Sequence, residues 1–301
     1  MIIPHKNPDG DAIGSAIAFH EYTTSLGKPA VIFCVTPVNP RLHFVPRNVP
    51  IEYNPEIFKD PEIDVVVTLD SGDLSYAGIE GYVKDRTLTL INIDHHATNE
   101  SFGQLNLVIP TAASTTEVLF RYFRHNGIRI SQNMATALLT GLSTDTGNFT
   151  NSATSSAALL MGSELISAGG NINLITNNTL KNSSIGALKL WGRAFSRLQN
   201  DERLNLTYSY LTQTDFKELG VEESEREGIS NFFNNLDNTA ITLLLVETAD
   251  NKIKGSFRTT RNDVDVSAMA KKLNGGGHKK AAGFSADGTI EEVLETILTL
   301  A

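Results

Sequence analysis

The chain has almost no cysteine: one, Cys34, in 301 residues. A single thiol closes no internal disulfide, which excludes a disulfide-built secreted scaffold and fits a reducing cytoplasm. Cys34 lies in Val31-Ile32-Phe33-Cys34-Val35, an apolar run with the texture of a buried strand, so the thiol reads as packed rather than reactive. No run is long and apolar enough to predict a membrane span. The start, Met1-Ile2-Ile3-Pro4-His5, lacks the basic and apolar sections of a signal peptide. Positive charge is also in deficit. A net charge of −9 argues against a general nucleic-acid binder, whose affinity comes mainly from neutralising phosphates. No internal repeat or low-complexity segment stands out.

What is present has the balance of a soluble globular protein, 41% hydrophobic and 20% charged, at a length suited to one large domain or two ordinary ones. The charge is uneven. Lys254, Arg258, Arg261, Lys271, Lys272, Lys279 and Lys280 face only Asp263 and Asp265 between positions 254 and 280. A solvated face accounts for such a run as readily as a surface for an anionic substrate.

The N-terminal part alternates short apolar runs with helical patterns, which predicts an α/β fold with parallel strands joined by crossovers. Ile2-Ile3, Ala30 to Val35, Ile63 to Leu69 and Thr87 to Ile91 read as strands. Each of three strand ends is followed by acid or histidine: His5, Asp9 and Asp11 after the first, Asp70 after Leu69, and Asp94-His95-His96 after the last. Pro8 and Gly10 punctuate the first loop, and a helix begins near Asp11 with Ile13, Ala16, Ile17 and Tyr22 on one face. A helix cap explains one carboxylate there, worth about 1 kcal/mol, but not a histidine and two carboxylates in one turn. Ser114-Thr115-Thr116-Glu117 has capping-box spacing and opens another helix, with Gly127 placed to end it. A helix through Ala135, Leu138, Leu139 and Leu142 ends in Thr144-Asp145-Thr146-Gly147, where a carboxylate opposes the helix dipole and wants a partner. Ala157 to Ala168 and Ile185 to Leu198 read as helices, the second as a connector. Beyond Asp201 the texture changes. Leu204 to Leu211 alternates, and Thr239 to Glu247 with Lys252 to Arg258 reads as a strand pair turning at Ala249-Asp250-Asn251.

His5, Asp9, Asp11, Asp70, His95 and Asp145 form an oxygen- and nitrogen-rich set without sulfur, suited to Mn²⁺ or Mg²⁺ and less specifically to Fe²⁺ or Zn²⁺. Four carboxylates and two imidazoles exceed the needs of one ion. Two ions ~3.5–4 Å apart would generate a hydroxide and stabilise in-line displacement at phosphorus. The competing reading makes each acid a separate cap or surface group. Further on, Asn274-Gly275-Gly276-Gly277-His278-Lys279 reads as a loop whose amides cradle an anion, although a plain turn explains it taken alone. Arg258 suits a bidentate phosphate contact or a surface salt bridge. His20, His43 and His125 match no pattern and read as structural or surface residues.

His5-x-Asn7-Pro8-Asp9-Gly10-Asp11, Asp70, Asp94-His95-His96 and Thr144-Asp145-Thr146-Gly147 resemble the four motifs of the DHH phosphoesterase superfamily. Ser256-Phe257-Arg258-Thr259 and Gly275-Gly276-Gly277-His278 resemble its DHHA1 domain, and the ordered set spans nearly the whole chain. The resemblance is to the two-domain NrnA-like group, nanoRNA exonucleases and phosphatases of adenosine 3′,5′-bisphosphate (pAp). It implies a parallel-sheet DHH domain over 1–182, a connecting helix over 183–200 and a smaller, mixed-sheet DHHA1 domain over 201–301. It further implies two Mn²⁺ ions, one held by His5, Asp9 and Asp70, the other by Asp11, Asp70, His95 and Asp145, with Asp70 bridging. His96 would contact the scissile phosphate, and Asp94 would orient a neighbouring imidazole. Arg258, Gly275, Gly276, Gly277 and His278 would hold substrate from the opposite lobe, the cleft favouring short substrates. The implied substrate is a short oligonucleotide or nucleotide phosphate in the cytoplasm, with no membrane, and a homodimer is open. The alternative activity is that of a cyclic di-AMP or linear dinucleotide phosphodiesterase. A nucleotide-binding regulator with a dead metal site is opposed by the complete ligand set. Three features depart from the pattern: little helical lead-in precedes the first motif, which leaves an incomplete N-terminus open; Tyr76 stands where a basic residue is common; and Lys279-Lys280 follow Gly277-His278 where proline or small residues are common.

Overall fold

The computed structural model describes all residues except 47, 85, 180–183, 300 and 301, and leaves the His278 side chain undescribed. The chain divides into two compact units, Met1–Asn182 and Ser183–Ala301. The boundary expected at 182–183 falls outside the described residues. No described helix is long and apolar enough to cross a membrane.

The first unit is built on six parallel strands, β1 (Ile2–Pro4), β2 (Ile32–Phe33), β3 (Ile51–Glu52), β4 (Val65–Leu69), β5 (Thr89–Asp94) and β6 (Leu105–Val108), in the order β3-β2-β1-β4-β5-β6. Sequence patterning anticipates the central strands. It overestimates β2 and misses the edge strands β3 and β6, which are short or solvent-facing and carry little apolar pattern. The central strands are apolar on both faces because both faces are covered. Ile2 points into a core with the helices Gly10–Ser25, Thr115–His125 and Gln132–Asp145, while Ile3 packs with Phe33, Phe58, Val66 and Ile79 on the other side. From β1 the chain winds first towards β3 and then towards β6, so its direction reverses between β1 and β4. Open α/β sheets bind ligands outside the carboxyl ends of strands at such a reversal. His5 follows β1 and Asp70 follows β4, which puts both at that point.

The second unit is a mixed sheet of β7 (Gln199–Asp201), β8 (Leu206–Leu211), β9 (Ile241–Glu247), β10 (Lys252–Arg258), β11 (Gly276–His278) and β12 (Ala281–Asp287), in the order β11-β12-β10-β9-β8-β7. The β8–β9 pair is parallel and the other pairs antiparallel. One face packs with the helices Val266–Lys272 and Ile290–Thr299. The other packs with the helix Ile185–Ser196, so the helix read as a connector sits in this unit's own core through Leu190 and Ala194. The one-sided alternation expected of Leu204 to Leu211 is replaced by burial on both faces, with Leu206, Ser209 and Leu211 all buried.

Candidate metal centre

The centre starts at the end of β1. His5, 5% exposed, has its Nδ1 2.7 Å from the Lys6 carbonyl, so that nitrogen carries the proton and donates it to the backbone. Nε2 is thereby turned to the acids, 3.5 Å from Asp70 Oδ2 and 3.7 Å from Asp9 Oδ1. Asp9 caps the helix Gly10–Ser25, accepting from the amides of Asp11 and Ala12 at 3.0 Å each. Asp11 is fully buried and accepts from the amides of Thr115 at 2.6 Å and Thr116 at 2.9 Å. Those are the first two residues of the helix Thr115–His125, whose unpaired N–H groups and dipole suit a carboxylate. Asp70 leaves β4 with φ +59°, a left-handed conformation that aspartate tolerates better than most residues. Its Oδ1 accepts from Thr115 Oγ1 at 2.9 Å.

The end of β5 supplies the rest. The Nδ1 of His95 lies 3.2 Å from the Ala112 carbonyl, which again orients Nε2 inward, 3.3 Å from Asp145 Oδ2 and 3.7 Å from Asp70 Oδ1. Asp145 is the last residue of the helix Gln132–Asp145. His96 Nδ1 is 2.7 Å from Asp94 Oδ1 and 3.6 Å from Asp70 Oδ1. Three overlapping groups have ligand atoms mutually within 4.8 Å: His5, Asp9 and Asp70; Asp11, His95 and Asp145; and Asp70, His95 and His96.

The electrostatics of this cluster call for positive charge. Burial and the charges of Asp70 and Asp9 hold Asp11 well above the usual carboxylate range. Burial and the charges of Asp11, Asp9 and Asp70 do the same to Asp145. Burial lowers His5, yet its hydrogen bonds with Asp70 and Asp9 outweigh that and push it up to about 12. Burial likewise opposes the charge on His96, but the Asp94 hydrogen bond and neighbouring carboxylates push it up to about 9. Asp11, Asp145, His5 and His96 are thus driven towards their protonated forms, while the His5 hydrogen bond and charge hold Asp9 below the usual carboxylate range against its partial burial. Divalent cations satisfy the same field, and the all-oxygen-and-nitrogen donor set, with its histidine tautomers already fixed, fits them.

The remaining predicted residues lie elsewhere or play plainer parts. Asp94 accepts from the His95 amide, His96 Nδ1 and Asn99 Nδ2, so it positions its neighbours. Tyr76 packs its ring on His5 at 4.9 Å between centroids. In the second unit Arg258 donates to Asn231 Oδ1 and the Phe257 carbonyl, and among the described residues it meets no carboxylate. The surface salt bridge weighed as the alternative for Arg258 is therefore absent among the described residues; Arg261 instead pairs with Asp263. The triglycine segment was expected as a loop, but Gly276 and Gly277 belong to strand β11 against β12, with Gly275 just ahead of it. A Cβ on Gly275 would lie 2.2 Å from the Gly283 carbonyl oxygen, and one on Gly277, at φ +138°, 2.6 Å from Ala282 Cα. Those two glycines serve packing, whereas a Cβ on Gly276 would meet open space. The backbone of His278 belongs to β11, while its side chain lies outside the described atoms.

Thr115, Thr116, Asn99 and Gly141 escape the sequence reading. A Cβ on Gly141 would stand 2.5 Å from Asp11 Oδ1, so that glycine makes room for the buried carboxylate. Only the capping-box spacing at Ser114 hinted that this helix start mattered, and it pointed to a local role.

Residues 1–142 match the DHH family, N-terminal domain, and residues 204–301 match the DHHA1 domain. The chain is 31% identical over 304 residues to the bifunctional oligoribonuclease and PAP phosphatase NrnA of Thermus thermophilus, covering 98% of this chain and 88% of that protein. It is 26% identical over 284 residues to a probable bifunctional oligoribonuclease and PAP phosphatase NrnA of Streptococcus mutans, covering 94% and 88%. The crystal structure of an exopolyphosphatase-related protein from Bacteroides fragilis superposes with a TM-score of 0.91 at 27% identity, covering 99% of this chain and 90% of that one. Matched at both ends by these domains and along nearly its full length by these relatives, the chain belongs to the DHH–DHHA1 phosphoesterases of the NrnA-like group.

Proposed function

We propose that the chain is a Mn²⁺-dependent hydrolase that converts very short oligoribonucleotides to 5′-mononucleotides and pAp to AMP. The observation that carries this reading is the two-sided use of Asp70, with Oδ2 towards His5 and Oδ1 towards His95 and His96. Such a carboxylate is suited to bridge two cation sites, one with His5 and Asp9, the other with Asp11, His95 and Asp145. Divalent cations bound there supply Lewis acidity at the phosphate and lower the pKa of water. The chain's own residues do the positioning. Thr115 holds Asp70, the helix amides hold Asp11, and the Lys6 and Ala112 carbonyls keep Nε2 of His5 and His95 presented. Asp94 orients His96, which donates a proton in a hydrogen bond to the scissile phosphate and supports the leaving oxygen.

Arg258, half-buried and without a carboxylate partner, supports phosphate binding in the second unit, with Gly276 as the glycine that leaves room for close approach and His278 beside it. The net charge of −9 favours short substrates over long polymers. The names of the relatives support the two activities, and the lone buried Cys34 supports a cytoplasmic setting. The test is a Mn²⁺ assay across dinucleotide to pentanucleotide RNA, long RNA, pAp, cyclic di-AMP and pyrophosphate. Dinucleotides and pAp should be turned over, and Asp70→Ala should abolish this. Equal rates on long RNA, or turnover by Asp70→Ala in the presence of a chelator, would sink the reading.

A further inference from the structure

On its His5 flank the metal centre ends in an aromatic ring, Tyr76. This residue lies in the short helix Leu74–Ala77, just after the loop that follows β4. Its ring packs on that of His5 at 4.9 Å between centroids, tilted by 32°, its one aromatic contact among the described residues. Tyr76 is 46% exposed, whereas His5 beneath it is 5% exposed. One face of the tyrosine therefore covers His5 and the other meets solvent.

A half-exposed tyrosine is ordinary on a surface, but this one is fastened. Its amide donates to Asp73 Oδ1 at 2.6 Å, and its carbonyl accepts from the Lys6 amide at 3.2 Å. The turn closes at Gly78, at φ +77°, where a Cβ would lie 2.7 Å from Lys6 Cγ. The loops after β1 and β4 are thus locked together. The ring is fixed before a ligand arrives, which spares the ligand the cost of ordering it.

Chemistry and position select what the open face takes. Burial and the charges of Asp70, Asp9 and Asp94 raise the Tyr76 phenol, against His5, so the side chain stays neutral and offers no charge to a phosphate. A flat neutral ring with a free face stacks another flat ring. Solvent reaches the centre on the same flank at Asp9, whose side chain is 55% exposed and lies 3.7 Å from His5 Nε2. A phosphate held at that opening carries its sugar and base out along the rim. We infer that Tyr76 is a stacking platform for the base of the nucleotide whose phosphate occupies the metal centre, and that it selects nucleotides over phosphate esters without a base. The inference deepens the hydrolase reading and rests on it for the class of substrate.

The test uses the intact chain with Mn²⁺ and two probes, AMP and ribose 5-phosphate, which share a sugar phosphate and differ in the base. Calorimetry measures both affinities. AMP should bind the more tightly, and Tyr76→Ala should weaken it about tenfold, the scale of one lost base–aromatic stack. Ribose 5-phosphate should bind that variant as it binds the wild type, which also certifies an assembled metal centre. Tyr76→Phe keeps the ring and should restore the affinity for AMP. Equal weakening of both probes in Tyr76→Ala would make the ring a cover for His5 alone and overturn the platform. AMP no tighter than ribose 5-phosphate, full AMP affinity in Tyr76→Ala, or a loss in Tyr76→Phe as large as in Tyr76→Ala would overturn it too. Tyr76-dependent preference for AMP without Mn²⁺-dependent hydrolysis of pAp keeps the platform and overturns the hydrolase reading. Hydrolysis of pAp without that preference overturns the platform alone.

Discussion

Asp94 Oδ1 accepts the Nδ1–H of His96 at 2.7 Å, while its Oδ2 accepts from Asn99 at 2.5 Å. The fully buried carboxylate thus fixes both the tautomer and the direction of the ring. Asp94→Asn keeps the shape and removes the charge. Loss of an orienting carboxylate of this kind costs about 10–100-fold in activity. The drop should appear in kcat, with Mn²⁺ affinity measured by calorimetry little changed. If Asp94 acts through His96, the double variant Asp94→Asn, His96→Ala should be no worse than His96→Ala alone. Additive losses would refute that coupling.

Asp145 carries a stability cost in the ion-free protein. Burial and the charges of Asp11, Asp9 and Asp70 raise its pKa, so the ionised form is disfavoured in the folded state. A carboxyl whose folded pKa is raised lends stability at low pH that is lost as pH rises. Asp145→Asn should therefore stabilise the chelator-treated protein at neutral pH by about 1 kcal/mol and flatten its stability against pH. It should also forfeit most of the Tm increase that Mn²⁺ gives the wild type. Calorimetric melts with and without the ion decide this, and a lower ion-free Tm would count against the assignment.

Ion binding should release protons. Without a cation, carboxylate neighbours push His5 up to about 12 against the effect of burial, and burial with neighbouring charge holds Asp11 well above its ordinary range. A ligand nitrogen or oxygen gives up its proton to bind a metal. Titrating Mn²⁺ into chelator-treated protein near pH 7.5, in buffers of different ionisation enthalpy, should report a net release of about one or more protons per chain. Affinity should fall as pH is lowered. A binding heat independent of buffer would contradict the charge balance of the site.

The triglycine strand separates packing from ligand approach. Gly277→Ala meets a left-handed backbone and a crowded β12, so it should destabilise the second unit by about 1 kcal/mol or more. Gly276→Ala has open space around its new methyl group and should leave the Tm near that of the wild type. If Gly276 admits a phosphate close to the backbone, the same variant should raise KM for pAp several-fold with little change in kcat. An unchanged KM would remove Gly276 from phosphate binding and leave only the packing roles of Gly275 and Gly277.

The convergence of His5, Asp70 and His95 was legible because each follows a short apolar strand, and parallel topology gathers such ends on one edge, while Asp145 stood out as a carboxylate at the end of an apolar helix. The contacts that hold them were not. Thr115 and Thr116 meet Asp11 across more than a hundred residues, by backbone amides that any residue other than proline carries. Gly141 owes its identity to a carboxylate on another helix, which no local pattern records. Edge strands β3 and β6 lack the two-sided burial that makes β4 and β5 conspicuous. The triglycine run looked like a loop because glycine has low strand propensity, yet close packing on β12 demands it at two positions.

The second unit has its own acid-sensitive point in Asp215, which is 1% exposed and opens the helix Gln213–Leu219 through a capping box with Thr212. Arg193 donates to it at 2.7 Å and Arg197 at 2.5 and 2.8 Å, tying that helix to Ile185–Ser196. Burial alone would raise this carboxyl, but the Arg197 hydrogen bond, the Thr212 amide and Arg193 hold it well below the ordinary carboxylate range. A depressed folded pKa gives stability that is present above the unfolded value of about 3.9 and lost as pH falls further. Asp215→Ala leaves the Arg197 guanidinium and the helix start without their carboxylate, while Arg193 keeps its pair with Glu218, so it should cost about 2 kcal/mol. Asp215→Asn retains some hydrogen bonding and should cost less. The loss should be large at pH 7 and shrink as the wild type itself weakens in acid, which denaturant melts across that range would report. A penalty that stayed constant down to the acid limit would place the stabilisation in packing instead of charge.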